Sequence, residues 1–373
     1  MVDTTLDLLV EISQFYGKNS DYVIAGGGNT SYKTEKELWV KASGTSLATI
    51  NRDGFVCLSR QKLEKINTHS YTQDSSKREE EVKNDLAAAI IEPQNLRPSV
   101  ETSMHNIINY KYIVHTHPTL VNALMCALNA KQQTARIFGD DVLYIEYTDP
   151  GYVLFKKVLD RITEYKQTKG VHPQIILLQN HGVFVSADSV DEIKEIYKDV
   201  EAKLNSNISK QVENRPAQKI VGSFINEINK LLAEKDLVAE AYNNSLIQSF
   251  ISSKRAYENI SQPFTPDIIV YCKSKYLFIE SSKTAKDTIV EIDNFYKQNT
   301  FYPKLVIVEN KYLVVIGENP NSIKTILDVF IDMMKISYLS NNFGGHNFMT
   351  KEQIDFIDNW EVENYRRKVS KQS

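Results

Sequence analysis

The chain has 373 residues, of which 42% are hydrophobic and 24% charged, with a net charge of -3 and a pI near 6.2. Such a chain is long enough for one large and one small globular domain. It has no dense Lys/Arg run and no apolar stretch long enough to cross a bilayer, so we expect neither a nucleic-acid nor a membrane partner. The acidic N-terminal segment is unlike a secretory signal, and the widely spaced Cys57, Cys126 and Cys272 are typical of buried thiols, so we expect a cytoplasmic protein.

Helix and strand patterns are mixed along the first 255 residues. Helical patterns cover residues 4–17, 77–91, 119–128 and 188–254, and another begins at Glu101. Apolar strand patterns cover residues 22–25, 55–58, 112–118 and 174–187, and a β-hairpin pattern follows the glycines at 26–28. This mixture predicts an α/β fold of the α+β type.

A polar, proline-containing segment at residues 261–267 predicts a linker. Strand patterns at 267–272, 304–308 and 312–317 then alternate with helical patterns at 283–298 and 319–340, and a last helical pattern covers 348–368. We therefore predict a large domain over residues 1–255 with a helical extension, and a small α/β domain over residues 256–373. The sequence shows no internal repeat.

Two histidines lie two residues apart in the apolar strand pattern YIVHTHP. Because successive side chains of a strand point to opposite faces, His115 and His117 share one face. His181 lies in the sharp break between two apolar strands, where its side chain can supply a third nitrogen. Three imidazoles leave a tetrahedral ion with one open position, which is typical of a catalytic metal site.

In the alternative interpretation, the two histidines of the His-x-His pair lie on the surface and bind no ligand. Both histidine segments are otherwise apolar, and buried imidazoles without partners are costly, so metal binding is favoured here. The other histidines are interpreted differently. His69 and His172 are predicted to be exposed, His346 to lie in a glycine-rich loop, and His105 to pack in the interior.

A glutamate and two polar turns accompany the histidines. Glu101 opens a helix that Ser99 can cap, and this position favours a carboxylate. Helix capping alone would explain it, but beside a metal the same carboxylate could ligate the ion and then remove a proton alpha to a carbonyl.

The loop GGGNTS at 26–31 offers backbone N–H groups and the Asn29 amide to a phosphate, and the turn at Ser43 and Gly44 has the same chemistry. The glycine spacing imitates a dinucleotide fingerprint, but a hairpin follows instead of a helix. Lys33 and Lys41 lie in that hairpin, where we expect solvated surface rather than a Schiff-base nucleophile.

These segments resemble the class II aldolase/adducin family over roughly residues 1–235. The matching segments, in order, are GGGNTS, KASGTS, PSVET, VHTHP and LQNHG. The resemblance implies a three-layer domain with a central, mainly antiparallel sheet. It also implies Glu101 as the catalytic acid/base, a zinc or other divalent cation on His115, His117 and His181, and a phosphate group on Asn29, Ser43, Gly44 and Ser99. Val100 departs from the family pattern, which has a second serine there in fuculose-phosphate-type members.

The second domain resembles the linker region of bifunctional rhamnulose-1-phosphate aldolase/dehydrogenases, on the segments YPKLVIVENKYLVVIG and FGGHNFMTKEQIDFIDNWEVENYRRK. No nucleotide fingerprint follows within the 373 residues, so we expect the aldolase portion without the oxidoreductase. The resemblance implies cleavage of a ketose 1-phosphate to dihydroxyacetone phosphate and an aldehyde. It also implies a homotetramer in which a neighbouring subunit donates an acid, with Glu146, Asp140 and several tyrosines as candidates.

Three other functions remain open at this stage. A sugar-phosphate epimerase or dehydratase of the same family would use the same metal and phosphate site with other proton donors. An adducin-like oligomerising module would be expected to have lost the metal ligands, but the three histidines and the glutamate are all present. A metallohydrolase would need an additional acid motif, which we do not find in the sequence.

Overall fold

The structure, a computed structural model, describes residues 2–213 and 215–359. Within these ranges the chain forms two compact units. The first comprises residues up to 125 together with 129–208, and the second comprises 126–128 together with residues from 209 onward. The boundary predicted after residue 255 falls inside the second unit, because residues 238–243 pair with residues 312–317.

The first unit begins with a helix and then alternates strands and helices. Its described helices are α1 (Val2–Gly17), α2 (Arg60–Thr68), α3 (Ser75–Ala89), α4 (Thr102–Ile107), α5 (Thr119–Met125), α6 (Ala130–Phe138), α7 (Tyr152–Lys169) and α8 (Val190–Asn205). Its described strands are β1 (Asn29–Lys33), β2 (Glu37–Lys41), β3 (Phe55–Ser59), β4 (Ile90–Glu92), β5 (Tyr112–Thr116), β6 (Leu143–Ile145), β7 (Ile175–Leu178) and β8 (Gly182–Ala187).

The strands of the first unit form one sheet in the order β4-β3-β2-β1-β5-β8-β7-β6. Neighbouring strands are antiparallel except for β6 and β7, which are parallel. Strand β5 lies near the middle of this sheet, and all five of its residues are buried. The predicted mixed fold with a mainly antiparallel central sheet is therefore confirmed.

Helices cover both faces of this sheet. On one face Ile113 of β5 belongs to a core with Met104 of α4 and Val158 of α7. On the other face the Thr116 hydroxyl lies 2.6 Å from the Tyr197 hydroxyl of α8. Because strand side chains alternate, His115 points to the same face as Ile113, toward α4. The layers thus place the predicted metal ligands beside the helix that follows Glu101.

The second unit contains a smaller sheet. Its described helices are α9 (Ser223–Leu232), α10 (Ser245–Ile251), α11 (Lys254–Tyr257), α12 (Pro266–Cys272), α13 (Ala285–Asn299), α14 (Pro320–Ser340) and α15 (Lys351–Asn359). Its described strands are β9 (Gln218–Ile220), β10 (Val238–Asn243), β11 (Leu277–Ile279), β12 (Leu305–Val308) and β13 (Tyr312–Gly317), in the sheet order β11-β12-β13-β10-β9. The predicted last helix over 348–368 corresponds to α15 over Lys351–Asn359, and the rest of that prediction lies outside the described residues.

The second sheet repeats the connectivity of five strands of the first. The first unit has the neighbours β1-β5-β8-β7-β6, and the second has β9-β10-β13-β12-β11. Each pair has the same orientation in both sheets, with β6–β7 and β11–β12 parallel and the others antiparallel. Helices α7 and α13 join the parallel strands, and α8 and α14 follow β8 and β13. The structure therefore contains an internal repeat where the sequence showed none.

The tight turns β7–β8 and β12–β13 agree in detail. Asn180 has a φ of 54° in the first turn and Asn310 a φ of 56° in the second. The Asn180 N–H donates to the Met125 carbonyl at 3.1 Å, and the Asn310 N–H donates to the Ile251 carbonyl at 2.8 Å. Each turn is thus hydrogen-bonded to the end of a helix. This helix is α5, which follows β5, in the first unit, and α10, which follows β10, in the second.

Three predicted elements differ from the structure. The segment 22–25 forms turns instead of a strand, and the predicted helical run 188–254 contains the strands β9 and β10. The segment 267–272, predicted as a strand, is helix α12, which has Pro266 in its first turn. Short apolar runs do not distinguish a buried strand from a buried helix by periodicity, and almost every residue of α12 is buried. The three cysteines are free and buried, as predicted.

Candidate metal centre

Strand β5 positions the first two histidines. His115 lies opposite Asn29 of β1 and opposite Phe184 of β8, and its ring stacks on the Phe184 ring with centroids 4.1 Å apart. His117 follows the strand, and its backbone N–H donates to the Tyr22 carbonyl at 3.1 Å. The alternation of side chains then brings the two imidazoles together, with ring centroids 4.8 Å apart.

The β7–β8 turn brings the third histidine to the same place. His181 follows Asn180, and the Asn122 amide donates to the His181 carbonyl at 3.2 Å. A Cβ at the next residue, Gly182, would lie 2.5 Å from the Thr116 carbonyl oxygen and 2.7 Å from Cδ2 of His117. The glycine therefore permits the close approach of the turn to the end of β5.

The three imidazoles form one cluster. A nitrogen from each of His115, His117 and His181 lies within 4.8 Å of the others. The Nδ1 atom of His115 lies 3.0 Å from the Val183 carbonyl, which can only accept, so this nitrogen carries the ring proton. The lone pair of His115 Nε2 then points into the cluster, where His117 Nε2 lies 3.0 Å away. Such an arrangement of inward-facing nitrogens suits a divalent cation.

Glu101 completes the cluster. Its Oε1 atom lies 3.4 Å from Nε2 of His115 and 3.4 Å from Nε2 of His181. The same oxygen is buried and has no hydrogen-bond donor. A buried carboxylate oxygen without a donor is costly, and a cation among the histidines would satisfy it. The residues present therefore fit a metal ion.

The electrostatic environment keeps these groups in the forms that a cation prefers. Burial holds the pKa of His115 well below its usual range, so the ring is neutral. Burial alone would raise the pKa of Glu101, but the polar groups around its carboxylate, among them the Asn29 amide, lower the pKa overall. A neutral imidazole and an ionised carboxylate are both competent metal ligands.

Two of the residues predicted to bind phosphate, Asn29 and Ser99, lie beside Glu101. The Asn29 amide donates to the Ser99 hydroxyl at 3.2 Å and to Oε2 of Glu101. The Ser43 N–H donates to the Arg97 carbonyl at 2.8 Å, which holds the Ser43 turn against the segment that precedes Ser99. Gly44 in that turn has a φ of 86° and is exposed. Asn29 and Ser99 thus contact Glu101, whereas the Ser43 turn is linked to the segment that precedes Ser99.

Sequence reasoning missed the hydrogen bonds of His105. Its Nε2 atom contacts the side-chain oxygen Oδ1 of Asn29, and its Nδ1 atom lies 2.7 Å from the Ser31 hydroxyl. Burial lowers the pKa of His105 to about 3, so this ring is neutral. The helical spacing of His105 from Glu101 was the available signal, because residues four apart lie on one helix face.

Two other predictions about side chains were wrong. Lys33 and Lys41 are each only 4% exposed, whereas solvated surface was predicted. The Lys33 amine donates to the carbonyls of His105 and Ile108, at the end of α4. His172 is half-buried instead of exposed.

The candidate acids from a neighbouring subunit are engaged in ion pairs within the chain. Glu146 lies 3.0 Å from Lys131 and 3.4 Å from Arg161, and Asp140 lies 3.3 Å from Lys169. Burial raises the pKa of Glu146, but backbone and lysine hydrogen bonds and Arg161 lower it overall. An ionised glutamate is a poor proton donor at neutral pH.

The fold and this site together define a class of protein. A mixed sheet that holds three histidines and a glutamate around one cation-sized space is the arrangement of a metal-dependent enzyme. The family model described as "Class II Aldolase and Adducin N-terminal domain" matches residues 7–204, more than half of the chain. The protein belongs to this family.

Similar proteins include a curated relative and several solved structures. The chain is 26% identical over 305 residues to "Uncharacterized oxidoreductase YuxG" of Bacillus subtilis (strain 168), a match that covers 75% of this chain and 43% of that protein. It thus spans less than half the length of this relative.

Among solved structures, the N-terminal class II aldolase domain of a conserved protein from Thermoplasma acidophilum is 28% identical. It has a TM-score of 0.46, and the match covers 54% of this chain and 92% of that one. An L-fuculose 1-phosphate aldolase from Glaciozyma antarctica PI12 is 16% identical, with a TM-score of 0.35 over 54% and 70% of the two chains. Among the described residues, no helix has the length and apolarity to cross a membrane.

Proposed function

We propose that this protein cleaves a ketose 1-phosphate resembling rhamnulose 1-phosphate into dihydroxyacetone phosphate and an aldehyde. The main support is the position of Glu101. One of its carboxylate oxygens is buried without a donor, 3.4 Å from two of the three clustered histidines. A base beside a Lewis-acid site is the pairing that carbon–carbon cleavage next to a carbonyl requires.

In this proposal His115, His117 and His181 hold zinc or another divalent cation. When bound, the cation would supply a Lewis acid for the substrate carbonyl oxygen. Glu101 carries the proton between the carboxylate and the carbon next to that carbonyl: it takes the proton in the condensation direction and returns it after cleavage. The low pKa of Glu101 favours the ionised carboxylate, which is the form that takes up the proton in the condensation direction.

Asn29, Ser43, Gly44 and Ser99 bind the substrate phosphate in this proposal. They combine an amide, two hydroxyls and turn N–H groups. Turn N–H groups and short polar side chains are suitable donors to phosphate oxygens. The phosphate would then be close to the proton-transfer group.

We also propose a cytoplasmic homotetramer in which a neighbouring subunit contributes a proton-transfer group. This group takes the proton from the hydroxyl that becomes the aldehyde during cleavage and returns it as an acid in the condensation direction. Because Glu146 and Asp140 are engaged in ion pairs, the tyrosines are the better candidates. Light scattering of the purified protein tests the tetramer.

An epimerase or dehydratase would share the metal and phosphate residues, so product analysis separates it from an aldolase. Purified protein is incubated with rhamnulose 1-phosphate and fuculose 1-phosphate, with and without a chelator. We expect dihydroxyacetone phosphate to appear, to depend on a divalent cation and to disappear with the chelator. An epimerised or dehydrated product would favour the second function, and a metal-loaded protein that changes no sugar phosphate would favour the adducin-like module.

A further inference from the structure

One face of strand β1 is built against helix α4. Asn29, Ser31 and Lys33 alternate along the strand and therefore point to one side. Each contacts His105, through Asn29 Oδ1, the Ser31 hydroxyl and the Lys33 amine, which donates to the His105 carbonyl. The strand thus holds the histidine at three points.

The donors and acceptors in this chain of hydrogen bonds determine which ring nitrogen of His105 carries the proton. The Asn29 side chain donates from its NH₂ group to Oε2 of Glu101 and to the Ser99 hydroxyl. The side-chain oxygen Oδ1 of Asn29 then faces His105 and can only accept, so Nε2 of His105 carries the ring proton. Nδ1 of His105 in turn accepts from the Ser31 hydroxyl. Without His105, the side-chain oxygen of Asn29 would lose its donor, and only the contacts of the NH₂ group with Glu101 and Ser99 would hold the amide.

We propose that His105 is a positioning residue that fixes the orientation of the Asn29 amide and, through it, the direction of the Glu101 carboxylate. The effect on turnover rests on the proposed aldolase function, whereas the hydrogen-bond chain does not. His105 contacts Asn29, and Asn29 contacts Glu101, so His105 acts on the carboxylate through Asn29.

The test compares His105→Leu with His105→Gln, whose side-chain amide can again donate to Asn29. We expect His105→Leu to lower kcat about 10- to 100-fold with little change in KM and with the metal content retained, as for other residues that orient a ligand or base. His105→Gln should recover part of this loss. In the Asn29→Ala background, His105→Leu should cost little more, because both substitutions break one chain.

The proposal is overturned if folded, metal-loaded His105→Leu keeps the wild-type kcat, or if the losses from His105→Leu and Asn29→Ala are additive. A second measurement does not need turnover. Nitrogen-15 NMR of the wild-type ring should show the Nε2–H tautomer, and an Nδ1–H tautomer would contradict the hydrogen-bond chain. A wild-type protein that cleaves no sugar phosphate but shows the Nε2–H tautomer would contradict the proposed function and leave the positioning contact standing.

The internal repeat supports a second, independent inference. His115 lies opposite Phe184 in the first unit, and Ala241 lies opposite Val314 in the second. Phe184 and Val314 are equally far along the chain from the two positive-φ asparagines of the turns. Ala241 therefore occupies the position of His115.

The same correspondence locates the other two ligands. Asn243 lies two residues beyond Ala241, as His117 does beyond His115, and Lys311 follows Asn310 as His181 follows Asn180. The N–H of Lys311 donates to the Val308 carbonyl at 3.0 Å, and the N–H of His181 makes the equivalent bond. Among the described residues, the cluster of three histidines in the first unit is the one group found with metal-binding geometry.

We infer that the second unit is a degenerate copy of the metal-binding half of the first, in which Ala241, Asn243 and Lys311 replace the three ligands. The backbone that aims the ligands is kept, and the imidazoles are lost. Restoring imidazoles at these positions should therefore restore metal binding, and a strand position facing the other way should not.

The test uses two double variants of the full chain. Asn243→His with Lys311→His avoids the buried Ala241 position and places two imidazoles as His117 and His181 are placed. In the matched control, Tyr242→His with Lys311→His, the strand histidine points to the opposite face.

Zn²⁺ binding is measured by equilibrium titration, and near-UV circular dichroism checks the fold of both variants. We expect the Asn243/Lys311 variant to bind one more Zn²⁺ than wild type, at least about tenfold more tightly than the control, because two imidazoles can ligate one ion. Equal binding by the two variants would overturn the inference. The comparison between variants holds whether or not the first unit binds zinc.

Discussion

The Oε1 atom of Glu101 lies 3.4 Å from Nε2 of His115, and it is buried without a hydrogen-bond donor. Glu101 precedes a helix, whereas His115 lies inside a central strand, so two separate elements converge on this contact. A carboxylate placed in this way can share a cation with the imidazole and still be free to exchange a proton with a substrate.

Replacing Glu101 by glutamine should separate metal binding from proton transfer. Glutamine keeps the shape of the side chain but cannot take up a proton at neutral pH, so we expect kcat to fall by about 10² to 10⁴. The three histidines are unchanged, so elemental analysis should still find the metal. Wild-type turnover by the variant would remove Glu101 from its proposed role.

Replacing His117 by alanine should instead remove the metal. His117 contributes one of three clustered nitrogens, and two remaining imidazoles bind a divalent cation more weakly. We expect loss of metal after dialysis and loss of activity together. The exposed His69 provides the control, since His69→Ala should retain both metal and activity.

Gly182→Ala should destabilise the turn that carries His181. The added Cβ would lie 2.5 Å from the Thr116 carbonyl oxygen, so the backbone must shift at a cost of about 1–3 kcal/mol. Thermal unfolding and zinc titration should show lower stability and weaker metal binding. Gly222→Ala is the matched control, because a Cβ there meets no atom within 4 Å. Similar losses in both variants would show that the close approach at Gly182 is unimportant.

Lys33→Met should destabilise the end of helix α4. The Lys33 amine is buried and donates to the carbonyls of His105 and Ile108, which methionine would leave without that donor, at a cost of about 1–3 kcal/mol. Urea unfolding measures the change. Lys62 also donates to a carbonyl, that of Ala88 at 2.7 Å, but it is exposed, so Lys62→Met should have little effect. Equal effects would contradict the role of burial at Lys33.

The parts of the site that depend on local geometry could be predicted from the sequence. Strand alternation places His115 and His117 on one face, and the break before Gly182 predicts a projecting His181. The burial of Lys33 could not be predicted in this way, because its acceptors are carbonyls at the end of a helix far away in sequence. The partners of His105 are equally distant in sequence.

The internal repeat escaped the sequence for a different reason. Its two copies share strand order, pairing and turn geometry, which backbone hydrogen bonds specify. The side chains at equivalent positions differ in chemistry, as Ala241 and Lys311 differ from His115 and His181. Asparagine at both positive-φ turn positions, Asn180 and Asn310, is a visible common residue, since asparagine tolerates the left-handed conformation.

The central claim is that three imidazoles from β5 and the β7–β8 turn hold one cation next to Glu101. Anomalous diffraction at the zinc edge, from crystals grown with zinc, tests it most directly. We predict one strong peak within about 2.0–2.1 Å of a nitrogen from each of His115, His117 and His181. A peak elsewhere, or histidine rings that point away from one another with no peak between them, would contradict the claim.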